Sequence, residues 1–179
     1  CLMIAEDAYP GLEIDRYLGE IERIAIRLRG RLPASGSAEE RVVALNQFLF
    51  EDLGFVGNAR EYYDPRNSYL NEVIDRKTGI PITLAILYME VGRRIGLPLA
   101  GVSFPGHFLV RLKLRGGMLI LDPFLGGIPA PDDELRERLQ RVIPKGATDD
   151  VPVAALPLDQ FLEAASNRQI LARLLRNLE

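Results

Sequence analysis

Two side chains in this sequence are placed for acid–base chemistry. His107 is the only histidine, and it follows the turn residues Pro105 and Gly106 in "FPGHFLV". Asp122 closes the apolar run "LILD". Imidazole exchanges protons near neutral pH. A carboxylate beside it fixes its tautomer and raises its basicity. Each residue also has a plainer reading. His107 then satisfies local backbone, and Asp122 caps the turn before Pro123. A nucleophile is harder to find. Cys1 is the one thiol and stands at the start of the sequence. Thr83, Ser103, Tyr62, Tyr63 and Tyr88 carry hydroxyls, and none has a spacing that marks it as paired with a base.

The elements that must position these residues are legible as patterns. The stretch "GIPITLAILYMEVGRRIGLP" (79–98) reads as a helix over 80–95. Pro81 sits in its first turn, where a missing amide hydrogen costs nothing. Leu84, Leu87, Val91 and Ile95 form its inner face, and Ala85 and Gly92 permit close approach by a neighbour. Residues 99–104 read as a short strand. Residues 107–114 alternate at strand period, a tight turn follows at 115–117, and 118–122 return. This antiparallel hairpin brings Asp122 toward His107. Upstream, Ile14, Leu18, Ile21, Ala25, Leu28 and Leu32 step by three and four, a helical stripe. Ser37 and Glu40 fit a capping box before a second helix that stops at Gly54. Residues 55–72, rich in Asn, Tyr, Asp and Pro, read as an ordered loop or short helical turns. Residues 132–143 form a polar helix. Residues 158–179 are helical again, interrupted near Ser166, with Phe161, Leu162, Ala165, Leu171, Leu174, Leu175 and Leu178 as the apolar face.

Helices, then a small antiparallel sheet, then helices give an α+β class. The expected division is a domain over 1–143, a linker over 144–157 and a C-terminal helical segment over 158–179. A start on Cys1 reads as a trimmed polypeptide, and a closing helix left half covered implies that more of it follows.

The 179 residues are enough for one full core. With 47% hydrophobic and 26% charged residues, and a formal charge of −3, nothing calls for nucleic acid or a membrane as partner. One cysteine excludes an internal disulfide, and with no secretory signal the expected location is cytoplasmic. No metal cluster, phosphate loop or cofactor motif is found.

Three stretches carry a resemblance: "LNQFLFEDLGFVGN", "YYDPRNSYLNEVIDRKTGIPITLAILYMEVGRRIGLPLAGVSFPGHFLVRL" and "LILDPFLGG". They resemble the SirB1 family of transglutaminase-like proteins. The resemblance covers nearly the whole sequence and is specific over 45–127. It implies a papain-like fold in which a nucleophilic cysteine heads the core helix and the next strands supply a histidine and an aspartate. It assigns these last two to His107 and Asp122, and puts Pro81 where the cysteine would stand. The ending "SNRQILARLLRNLE" resembles the family's bridge into a helical-repeat region.

With a proline at the nucleophile's position, the expectation is a non-catalytic, pseudoenzyme-like domain with a protein-interaction or regulatory role. Its partner would be a protein or peptide held in the old cleft, with Asn58, Tyr62, Tyr63, Asn67, Asn71 and Phe104 as groove residues. A second expectation is a hydrolase or acyltransferase with a substitute nucleophile, Thr83, working with His107 and Asp122. A third is a purely structural support domain.

Overall fold

The order of elements places a long buried helix against a four-stranded sheet. The computed structural model describes residues 1–33, 35–144 and 155–178. The central helix, α5, spans Pro81–Arg94. Every residue from Pro81 to Tyr88 in it is buried, which is why its first half is apolar all round. Its first turn is closed by Thr83, whose hydroxyl accepts from the Ile80 amide at 3.1 Å.

The sheet runs β3 (Leu99–Val102), β4 (Leu109–Leu114), β5 (Gly117–Asp122) and β6 (Ile128–Pro129), in that spatial order and antiparallel throughout. Leu114 pairs with Gly117, so the β4–β5 connection is a two-residue hairpin loop. Strand alternation sends Val110, Leu112 and Leu121 to the core shared with α5. Leu109 and Ile120 point the other way, into a second core with Leu135, Leu139, Leu158 and Leu162. Both faces of the sheet are therefore covered. Leu135 and Leu139 come from helix α6 (Asp132–Val142). Gly92 lets β3 lie against α5, since a Cβ there would overlap the Leu99 side chain.

The N-terminal layer consists of α1 (Leu2–Ala8), α2 (Ile14–Arg29) and α3 (Ala38–Asn46), the last continuing as a π-helix through Gln47–Asp52. The Ser37–Glu40 capping box is present. Packed against α5, α2 buries Tyr17, Ile21, Ile24 and Leu28 and leaves Leu18 exposed. The stripe is thus rotated from the expected one, because the aromatic Tyr17 fills the core and its hydroxyl reaches Asp75 at 2.6 Å.

The stretch 55–72 contains more than loop. It holds β1 (Val56–Gly57), a 3-10 turn at Pro65–Ser68 and the start of α4 (Leu70–Arg76); β1 pairs in parallel with β2 (Thr78–Gly79). At the C-terminal end, a 3-10 turn at Leu158–Phe161 precedes α7 (Asn167–Arg176), which Ser166 caps. Helix α7 buries Ile170 and Leu174 in the main core, and Leu171 and Leu175 are exposed. Most of the expected linker, residues 145–154, lies outside the described residues, as does Glu179. Among the described residues no helix is long and apolar enough to cross a membrane.

Candidate functional site

The hairpin register explains how two residues fifteen apart meet. Val110 pairs with Leu121, so His107 and Asp122 lie at the same end of adjacent strands. The turn before His107 uses Gly106 at φ +68°, a conformation that suits glycine. It is closed by the His107 amide, which donates to the Phe104 carbonyl at 3.1 Å. His107 Nε2 lies 3.0 Å from Asp122 Oδ1 and 2.9 Å from Oδ2. A carboxylate only accepts, so Nε2 carries the proton of this bond.

Asp122 is fully buried, at 0% exposure. Its Oδ1 also accepts from the Phe124 amide at 3.1 Å, and its Oδ2 from Arg138 at 2.8 Å. Burial alone would push its pKa up. The hydrogen bonds and charges of His107 and Arg138 outweigh that and hold the carboxyl below its ordinary range. Arg138 comes from α6, one turn after Glu134, which it also binds. Burial pulls the pKa of its guanidinium down, and the two carboxylates more than restore it.

Beside the dyad lies an open cleft of about 450 Å³. Pro105, Phe124, Leu125 and Val142 give apolar walls, and His107, Arg138 and Arg141 give polar ones. Phe124 stands edge-on to His107, with ring centroids 6.0 Å apart. Tyr62 stands edge-on to Phe124 at 6.2 Å, and Tyr63 to Tyr62 at 5.3 Å. Tyr63 is 93% exposed.

The other expected groove residues are placed differently. Asn67 is fully buried and Asn71 nearly so, and Phe104 is fully buried in the second core. Asn67 donates to the carbonyls of Glu61 at 2.7 Å and Tyr62 at 3.3 Å, and accepts from Asn58 at 3.2 Å. Asn58 in turn accepts from the Glu61 amide at 2.9 Å. These asparagines brace the 58–67 loop from inside, because a loop over a core must satisfy its backbone groups. The cleft takes its walls from 105–107, 122–125 and α6 instead.

Thr83, the expected substitute nucleophile, sits in the first turn of α5. It is fully buried, and its hydroxyl proton is committed to the Asn67 carbonyl at 2.7 Å. The Tyr88 hydroxyl donates to Asn46 at 2.7 Å, and burial raises its phenol far out of reach of a base. Cys1 lines a separate pocket with Ile86, Met89 and Ile170. Pro81 is buried at the head of α5, the helix that packs on β4 and the 123–125 turn. Among the described residues no acidic, thiol or imidazole cluster is able to hold a metal. Sequence reasoning misses Arg138. Its one signal is the Glu134–Arg138 spacing of four, which any solvated helix face shows.

The family model described as the transglutaminase-like superfamily matches residues 15–176. A UPF0162 protein of Xylella fastidiosa (strain Temecula1) is 47% identical over 177 residues, covering 99% of this chain and 61% of that protein. A UPF0162 protein of Pseudomonas aeruginosa is 34% identical over 178 residues, with the same two shares. F-box only protein 21 of Homo sapiens is 46% identical over 68 residues, which are 38% of this chain and 11% of that protein. The chain thus spans about three fifths of the bacterial relatives it matches. No solved structure matches it. A central helix packed on an antiparallel sheet that carries a histidine–aspartate pair, together with a family match over most of the sequence, is decisive: the chain belongs to the transglutaminase-like superfamily.

Proposed function

We propose that this is a SirB1-type, non-catalytic transglutaminase-like domain that holds a protein or peptide segment at the His107 cleft and acts through that interaction. One observation carries the reading. His107 and Asp122 keep a hydrogen-bonded geometry in an open cleft, yet no thiol or free hydroxyl bonds the imidazole among the described residues. Pro81 occupies the nucleophile's place in this reading, and a pyrrolidine ring cannot attack an acyl carbon. The apolar and aromatic walls suit side chains, and the imidazole suits a hydrogen-bonding group. Placement in the cytoplasm, and α7 as the lead into a helical-repeat region, belong to the same proposal. So does the division into a domain over 1–143 with a C-terminal segment after it.

The structural alternative has its own support, since Asp122 joins β5, the 123–125 turn, His107 and α6 at one carboxylate. Selection of displayed random peptides on the protein, repeated on His107→Ala, separates the two. A binding cleft gives enriched peptides whose affinity falls about tenfold or more in a variant that keeps its fold by circular dichroism. Loss of the fold in His107→Ala favours the structural role. Turnover of any amide or ester that stops in His107→Ala sinks both.

A further inference from the structure

One cation near this cleft is held by neutral acceptors alone. Arg173 of α7 is partly buried, with its guanidinium 5.8 Å from the Phe108 ring centroid. Its Nη1 donates to Ser103 Oγ and to the Phe104 carbonyl, each at 2.9 Å. Both acceptors are neutral. Arg94 pairs with Glu22 and Glu90, and Arg138 with Asp122 and Glu134, whereas the part-buried Arg41 and Arg111 bond only backbone carbonyls. Arg173 pairs with none among the described residues. Its neighbour in charge is another cation, Arg176. Among the described residues none accepts from its Nε and Nη2, whose three N–H donors stay open to solvent and form the side-on fork that grips a carboxylate through two parallel bonds.

The position of this fork matters as much as its free donors. The Phe104 carbonyl accepts from both Arg173 and the His107 amide, so one oxygen ties the cation to the turn that presents the imidazole. Tyr62 lies within electrostatic range of Arg173 and edge-on to Phe124, which is edge-on to His107. We infer that Arg173, with Arg176 beside it, is a carboxylate subsite next to the His107 cleft, for a peptide whose carboxylate lies close to an aromatic or aliphatic side chain. The inference rests on the peptide-holding reading for its ligand class and adds the charge that the ligand must carry. A carboxylate of that kind comes from the C-terminus of a polypeptide or from an acidic side chain.

Three probes test it on the whole 179-residue chain by nuclear magnetic resonance: N-acetyl-phenylalanine, N-acetyl-phenylalaninamide and N-acetyl-glutamyl-phenylalaninamide. The expected result is that a carboxylate probe moves the Arg173 Nε–H resonance and binds about tenfold tighter than the amide. Preference for the first probe assigns a C-terminal carboxylate, and preference for the third an acidic side chain. Arg173→Gln should erase the difference between acid and amide. Equal binding of acid and amide by the unaltered protein overturns the inference, as does discrimination that survives in a folded Arg173→Gln. If that variant loses its fold through Ser103 and Phe104, Arg173→Lys decides. It keeps the charge without the fork, so discrimination should fall several-fold, and unchanged discrimination overturns the subsite. Failure of the two readings is distinguishable. Selected peptides indifferent to His107, with acid still preferred at Arg173, sink the cleft and leave the subsite. The reverse pattern sinks the subsite and leaves the cleft.

Discussion

Asp122 is the residue on which the site turns. It accepts from an imidazole, a guanidinium and a backbone amide, with no exposure to water. Removing one member of a buried, hydrogen-bonded ion pair strands the others. Asp122→Ala should therefore cost about 3–5 kcal/mol of stability, read by urea denaturation at neutral pH. The same carboxylate sets an acid dependence. Its folded-state pKa is lowered, so its contribution is present above the unfolded value, roughly 3.9. That contribution is lost as pH falls through the folded value beneath it. The stability gap between the unaltered protein and Asp122→Asn should accordingly narrow as pH drops from 5 toward 2, and a gap that stays constant would refute the assignment. At this scale the sequence is only half legible. His107 and Asp122 stand out by type and position. Arg138 and Arg173 do not, because an arginine on a polar helix face looks the same whether it meets water or a buried carboxylate. Asn67 is legible as polar, but its inward direction depends on the 58–67 loop closing around it.

At the scale of elements, the strongest signals are the long ones. Helix α5 and the β4–β5 hairpin carry enough periods for their faces to be read directly. The short pieces are not readable. Helices α1 and α4 are each seven residues long, about two turns, too few to show a stripe. The α4 sequence follows a run of Asp, Pro, Arg and Asn that signals a turn. Tertiary packing, with Leu70, Val73 and Ile74 buried, makes the helix there. On α7 the apolar face is not the expected one, since Ile170 joins Leu174 in the core while Leu171 and Leu175 stay outside. The α5–β3 contact is legible in Gly92, and it gives a clear test. Gly92→Ala puts a Cβ into the Leu99 side chain, and overpacking of that kind costs about 1–3 kcal/mol. Leu99→Ala should recover part of the loss in the double variant, and thermal melts would show whether it does.

The whole molecule is a sheet covered on both sides, and its cooperativity depends on both covers. One core holds α2, α5 and α7 residues, and the other holds α6 with the 158–162 segment. Several polar ties cross between them: Arg111 to the Leu162 carbonyl at 2.8 Å, and the Ala165 amide to the Gly101 carbonyl at 2.8 Å. With these ties in place, α7 should unfold together with the body. Leu174→Ala, in the main core at 1% exposure, should cost about 2–5 kcal/mol. It should do so in a single transition seen alike by fluorescence and circular dichroism. An early, separate loss of helix signal would mean that α7 is an independent unit. Element order makes the α+β class legible. The second core is not, because Leu158 and Leu162 join it from beyond the 145–154 stretch, and no periodicity links segments so far apart.

Gly57 is not part of the cleft lining, yet a Cβ there would stand 2.6 Å from both the ring and the carbonyl of Phe124, which is. Any larger residue at 57 must shift Phe124, whose ring borders the imidazole. The shape of the opening beside His107 is thus set in part by a strand outside its lining, and a single methyl group at that strand would alter the mouth.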